Sequence, residues 1–442
     1  MRFTKSTGAN ESESILADLC EKSFLTLWTY PNLFRAPAKE LSDLLVVFKD
    51  RILIFSDKCC QYPNTGDPQL DWQRWYRRSV SDSAAQIKRA ENWLKQHPTK
   101  VYLDAKCTVE FPLCLPPLNQ IRFHRICIAL GASERAKTAT GTAALKICPA
   151  ALDGERSFTI GKTSGANGWV HVFGEAEIRT LLAELSTASD FVDYLTKKEE
   201  LLDSDQFIEA NCETDLLAYF LWHRREFKLQ SPERFKLQPN LWEKVQSNAS
   251  FLVGREANNI SFFWDNLIEY LNDLYMKEQL EHGNSYAPTE HEKIVRTLAA
   301  ENRFSRRLLA KWILERAEKA PNSYVSSCHP SINQPDVLYV LLVGPGAKKS
   351  KYAEYREHRS RDLTLRCYAA KAASPTYKTI VGIGLDANGV NGHSEDFVRI
   401  DTSDWTAEDL SRAEKIRTDF GYFVLGKATQ TRLSEFEYPG QS

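Results

Sequence analysis

The sequence predicts an α/β chain: a mixed sheet flanked by helices in its N-terminal part, then a mostly α-helical section, then a small α+β C-terminal section. Three observations lead there. The apolar runs Leu44-Leu45-Val46-Val47-Phe48 and Ile52-Leu53-Ile54-Phe55 flank Lys49-Asp50-Arg51, the pattern of a β-hairpin buried on both faces. Helix-period segments precede and follow that hairpin, as a sheet covered by helices requires. From Glu199 to Lys319 the helical period dominates.

In chain order, Ser12 to Leu27 reads as an amphipathic helix, capped by Ser12 or Ser14, with Ile15, Leu16, Leu19, Cys20 and Leu27 at helical spacing. Trp28-Thr29-Tyr30-Pro31-Asn32 ends it, and the hairpin comes next. Pro63, Gly66 and Pro68 make a loop, after which Trp75, Val80, Ala84, Ile87, Ala90 and Leu94 mark a long helix stopped near Pro98. Lys100 to Leu103 and Ile121 to Leu130 are expected as strands, giving the order α, β, β, α, β, β. Gly131 to Gly168 is a surface elaboration, Trp169 to Phe173 a strand and Glu175 to Leu195 a helix. Ala320-Pro321-Asn322-Ser323 starts a linker. Strands at Asp336 to Val343, Thr379 to Gly384 and Phe397 to Asp401, with helices at Tyr355 to Ala373 and Thr406 to Gly421, complete the chain. The expected domains are residues 1–198, 199–320 and 321–442.

At 442 residues the chain exceeds one ordinary core, and 43% hydrophobic, 11% aromatic and 26% charged residues describe a folded globular protein. No uncharged apolar stretch approaches eighteen residues, so a membrane span is not expected. Ten cysteines without a Cys-x-x-Cys spacing resemble neither a disulfide framework nor a zinc site, which points to the cytoplasm. A net charge of −1 excludes a chain-wide basic field, so any nucleic-acid contact must be local. Basic clusters at Arg74 to Arg78, His223 to Arg225, Arg303 to Arg307 and Lys348 to Arg361 are first read as solvated faces.

Chemistry concentrates near the hairpin. Glu21 lies on the first helix, in Cys20-Glu21-Lys22-Ser23-Phe24; Asp43 starts the first strand, in Ser42-Asp43-Leu44-Leu45; Ser56-Asp57-Lys58 closes the second. Alternate strand residues share a face, so Ile52, Ile54, Ser56 and Lys58 point one way, and Lys58 reaches Asp43 if that face meets it. Over residues 12 to 130 this pattern resembles the PD-(D/E)xK superfamily, in particular the Mrr-like branch of restriction-endonuclease-like proteins.

The resemblance implies a nuclease that hydrolyses phosphodiester bonds with Mg²⁺ or Mn²⁺, acting on DNA ahead of RNA in bacterial defence or nucleic-acid processing. Asp43 would hold the metal, and Lys58 would orient water and stabilise developing charge. Gln86, in Ala84-Ala85-Gln86-Ile87, resembles the polar residue that related enzymes place near the site. The chain departs from the pattern at Ser56, where the family has an acid or Gln. Asp57 is a substitute ligand only if the strand twists or bulges at its end. Glu21 is the better replacement and Glu40 a weaker one, so Glu21, Asp43 and Lys58 should converge in one cleft. The competing reading is an inactive nuclease fold that binds nucleic acid or protein, with the helical and C-terminal sections engaging a partner or a second copy.

Other signals carry less. Gly344-Pro345-Gly346-Ala347-Lys348-Lys349-Ser350 lacks phosphate-loop spacing, and Pro345 removes an amide donor. Gly382-Ile383-Gly384 is expected as a hairpin turn. His124 and His171, each inside an apolar strand, are expected to be buried and hydrogen-bonded rather than ligands. Cys59 and Cys60 are expected to pack.

Overall fold

A computed structural model describes residues 2–228, 234–281, 283–318, 322–390, 394–424 and 435–439, so the start of the expected linker, Ala320-Pro321, lies outside the described residues. The chain forms two compact units: residues 1–256 with 267–299 and 437–442, and residues 257–266 with 300–436. The helical stretch 199–320 is thereby shared between them.

The first unit opens with α1 (Glu11–Phe24), begun by Asn10, whose side chain accepts from the Glu13 amide, and buried along Leu16, Ala17, Cys20 and Phe24. Three antiparallel strands follow: β1 (Thr29–Ala36), β2 (Lys39–Phe48) and β3 (Arg51–Cys59). Thr29 faces Val46, Leu33 faces Ser42 and Leu44 faces Phe55. Where the sequence was read as the end of a helix at Trp28 to Asn32, the chain instead enters β1. Pro31 obscured that strand, yet β1 is the edge of the sheet, where a missing amide donor is tolerated.

Next, α2 (Pro68–Tyr76) runs through a π-helical turn at Arg77–Ser81 into α3 (Asp82–Gln96), the one long helix expected. The parallel strand β4 (Arg122–Leu130) places Cys127 beside Ser56. Lys100 to Leu103 is not a strand: Tyr102 makes only isolated bridges to Phe34 and Glu110. The cause is Asp104, whose carboxylate accepts the amides of Lys106, Thr108 and Val109 and turns the chain away at once.

Helix α4 (Ser133–Thr140) and two-residue strands β5 (Lys146–Ile147) and β6 (Thr159–Ile160) make up the elaboration before β7 (Val170–Phe173), which pairs in parallel with β4. The sheet order is β1-β2-β3-β4-β7. One expected helix proves to be two, α5 (Glu175–Glu184) and α6 (Ala188–Asp203), because Thr187 breaks the run and caps the second by accepting from the Asp190 amide. A short strand β8 (Phe207–Glu209), α7 (Glu213–Trp222) and β9 (Phe235–Lys236) come next, followed by helices α8 (Leu241–Gln246), α9 (Ala249–Ala257), α10 (Phe262–Met276) and α11 (Pro288–Ala299).

The second unit contains α12 (Arg303–Glu318), β10 (Val325–Pro330), β11 (Val337–Gly344), α13 (Tyr352–Ala373), β12 (Thr379–Asp386), β13 (Asp396–Asp401) and α14 (Ala407–Phe420). Its sheet order is β10-β11-β12-β13, with α13 as the crossover between parallel β11 and β12. Gly382 and Gly384 are not a turn but part of β12. A Cβ on Gly382 would stand 2.6 Å from the Cys367 sulfur, so the missing side chain is what lets α13 lie close.

Candidate active site

The ladder between β2 and β3 stops at Leu44 and Phe55, and the strands part beyond it. Into that opening Asp43, 4% exposed, turns its carboxylate. Its Oδ2 accepts the Asp57 amide at 2.7 Å, its Oδ1 accepts Gln86 Nε2 at 2.8 Å, and Lys58 Nζ stands 3.9 Å from Oδ2. Ser56, fully buried, lies 3.3 Å from the Ser83 hydroxyl and 3.4 Å from Gln86 Oε1. Thus Asp43, Ser56, Lys58 and Gln86 come together across two strands and α3. No acid shares the Ser56 position.

Asp57 lies on the other side of the pleat, next to Ser12. It is 8% exposed, and its Oδ1 has no hydrogen-bond partner. Glu21 is not part of this group. The charges that act on it are Lys5, Glu269 and Asp18, and burial raises its pKa there. The acid that α1 brings to this corner is Glu13, held by the amides of Asn10 at 2.7 Å and Asn32 at 2.8 Å. Glu13 raises Asp43, Asp57 and Glu40 by its charge.

Burial is the main reason the Asp43 carboxyl sits above its usual range, opposed by Lys58, the Asp57 amide and Gln86. For Asp57 the main cause is again burial, opposed by Ser12 and Lys58 and reinforced by Asp43 and Glu13. Glu40 is exposed but raised for the same reasons, burial first and then Asp43. Several mutually repelling carboxylates with one orphaned buried oxygen constitute an all-oxygen donor set, which suits a hard cation such as Mg²⁺ or Mn²⁺. Asp43, beside Lys58, is the residue that would hold it, with Asp57 on the opposite face and the Glu13 carboxylate bonded to Asn10, Asn32 and the Ala9 amide. The three acids do not form a closed triad: among the described residues, the ligand atoms found within 4.8 Å of one another belong to His124, His171 and Glu199.

Taken singly, each histidine reads as a buried core residue, so the sequence does not point to this second cluster. Both are buried, as expected, but they share one carboxylate: His124 Nδ1 and His171 Nε2 each lie 3.0 Å from Glu199 Oε1. Burial outweighs Glu199 and lowers His171 to about 4.

The basic clusters sort differently from solvated faces. Arg303 and Arg306 are buried on Asp265 at 2.7 and 2.5 Å, Arg225 pairs with Asp190 at 2.6 Å, and Arg359 is buried between Asp386 and Asp396. Arg74, Arg77, Arg78, Lys348, Lys349 and Lys351 remain exposed. All ten cysteines are free, and Cys59 is exposed rather than packed. No helix among the described residues is long and apolar enough to cross a membrane. Comparison of the chain with protein-family models, with curated proteins and with solved structures finds no match.

Proposed function

We propose that the first unit is a restriction-endonuclease-like core of the PD-(D/E)xK type and that it hydrolyses phosphodiester bonds of nucleic acid, DNA ahead of RNA, with a divalent cation. The observation that carries this reading is the meeting of a strand aspartate, a lysine two residues beyond Ser56 and a helix glutamine around one carboxylate: Asp43 with Gln86 at 2.8 Å and Lys58 at 3.9 Å. The element order supports it too, since one helix, three antiparallel strands, a helical run and a parallel strand give a mixed sheet with Asp43 and Lys58 on adjacent central strands. A bound cation supplies charge neutralisation at the phosphate. The chain's own parts in the chemistry are then specific. Asp43 anchors the cation side. Lys58, held beside Asp43 with its side chain 30% exposed, presents a positive charge to the phosphate and the attacking water. Gln86 fixes the Asp43 rotamer, and Glu13 replaces Glu21 as the acid from α1.

Ser56 favours a second reading, in which the fold binds nucleic acid without cutting it: its hydroxyl is committed to Ser83 and Gln86 and offers no charge. One experiment separates the two. The purified chain is incubated with Mg²⁺ or Mn²⁺ and with double-stranded DNA, single-stranded DNA and RNA. Cleavage that disappears in Lys58→Ala supports the nuclease. Binding without cleavage under every condition supports the second reading.

A further inference from the structure

Parallel pairing of β4 with β7 sets Ile126 opposite His171, so His124, two residues before Ile126, projects from the same face as His171. Helix α6 crosses that face and delivers Glu199. The side chains of His124 and His171 are 2% and 0% exposed, whereas Glu199 keeps 25%, so the cluster is dry on its protein side and reachable from one direction. The neighbouring cation Lys198 is neutralised by Glu213 at 2.5 Å. His124 Nε2 and His171 Nδ1, the outer nitrogens, are buried without partners.

Each imidazole nitrogen stands 3.0 Å from the same carboxylate oxygen, close to the edge between two ligands of a tetrahedral ion, and all three ligand atoms lie within 4.8 Å of one another. With bonds of about 2.0 Å the edge of such a tetrahedron is about 3.3 Å. Both rings donate to the same oxygen. Binding a metal would move each ring proton to the outer nitrogen, which lacks a partner in either tautomer, so no hydrogen bond is lost beyond the two that the metal replaces. Two nitrogens and one oxygen disfavour Mg²⁺ and Ca²⁺ and suit a borderline transition ion. Three protein ligands and one open direction leave a fourth position for water.

We propose that His124, His171 and Glu199 form a binding site for one Zn²⁺ ion, tying β4, β7 and α6 together. The site is separate from the Asp43 corner. Leu53 pairs with His124 and Asp57 with Ile128, so four strand residues, about 13 Å, lie between the histidine and the Asp57 level.

The test uses the full chain, stripped with a chelator and titrated with ZnCl₂ while uptake and thermal unfolding are followed, with Co²⁺ as a spectroscopic substitute. Wild type is expected to take up one Zn²⁺, to unfold at higher temperature when loaded, and to give Co²⁺ a visible band typical of four ligands. Glu199→Gln keeps a hydrogen-bond acceptor at a partly exposed position, so it folds, and it should weaken Zn²⁺ at least tenfold; His171→Gln should do the same. Cys59→Ser, at an exposed free thiol, should leave uptake unchanged. Uptake in Glu199→Gln equal to wild type would place the ion elsewhere, on the free cysteines for example, and overturn the proposal. So would a wild-type chain that takes up no Zn²⁺, or loss of uptake in Cys59→Ser.

Discussion

Replacing Asp43 separates what this carboxylate does for the fold from what it does for chemistry. In Asp43→Ala the Asp57 amide loses its acceptor at 2.7 Å inside the sheet, and a buried donor left unpaired costs about 1–3 kcal/mol. Gln86 is half-buried and can turn to water. The ion pair to Lys58, at 3.9 Å with the lysine 30% exposed, contributes at most about 1 kcal/mol. The expected loss is therefore about 1–4 kcal/mol. Asp43→Asn keeps an acceptor for the Asp57 amide and removes a charge that burial already disfavours, so its loss should stay near 1 kcal/mol or below. Urea unfolding, followed by the fluorescence of buried Trp72 and Trp75, measures both, and a cleavage assay accompanies it. Both variants should lose cleavage, although only the alanine variant loses much stability. Equal stability losses would refute the hydrogen-bond reasoning, and an Asp43→Asn chain cutting at the wild-type rate would refute the proposed role.

Three further outcomes are expected. Glu91 is fully buried and receives Arg125 at 2.7 and 3.0 Å and Lys95 at 2.5 Å; Glu91→Ala strands the buried guanidinium and should cost about 3–5 kcal/mol in urea unfolding. A midpoint unchanged from wild type would mean that the pair is not closed in solution. Gly382→Ala forces a Cβ to within 2.6 Å of the Cys367 sulfur and should cost about 1–3 kcal/mol, partly recovered in the double variant with Cys367→Ala; no recovery would locate the strain elsewhere. His291, stacked on Tyr275 at 3.8 Å, is held down to about 4 by burial and then by Arg2. The unfolded chain, titrating at about 6.5, takes the proton first, so stability should be level above that pH and fall by up to about 3 kcal/mol as pH drops towards 4. His291→Phe should flatten this part of the pH profile, and an unchanged profile would assign the acid sensitivity to other groups.

The parts of the site that could be read from the sequence are those set by short-range geometry. Period-two alternation puts Ser56 and Lys58 on one face of the strand, but their level against Asp43 depends on the turn, which is Lys49-Asp50 with Phe48 opposite Arg51 rather than the three residues expected, and Gln86 follows from the family resemblance alone. The acid on α1 required a strand that had not been recognised. Once β1 is known to run antiparallel to β2, with Leu33 opposite Ser42, the start of α1 must lie at the Asp43 end, as the bond from Asn32 to Glu13 shows. Pro31 masked β1, and the choice then fell on Glu21, eight residues too far along. The zinc candidate was out of reach for another reason. His124, His171 and Glu199 meet only through the pairing of two parallel strands, which leaves no local trace, and through the break that starts α6, whose one local sign is the Thr187-Ala188-Ser189-Asp190 cap. Likewise, nothing about Gly382 in isolation distinguishes a turn from a strand over which a helix must lie close.

The π-helical turn at Arg77–Ser81 gives the helix behind the sheet an unusual dependence on its length. Such a turn spends one more residue than an α-helical turn, and each residue is worth about 100° of rotation. Closing this stretch into an ordinary ladder with all its residues kept would swing Ser83 and Gln86 about 100° away from Ser56 and Asp43, while Trp72 and Trp75 stayed in place. The corner's amide is thus positioned by the wide turn: the extra residue is absorbed there, so that the Trp72 side of the helix and the Gln86 side keep their separate faces.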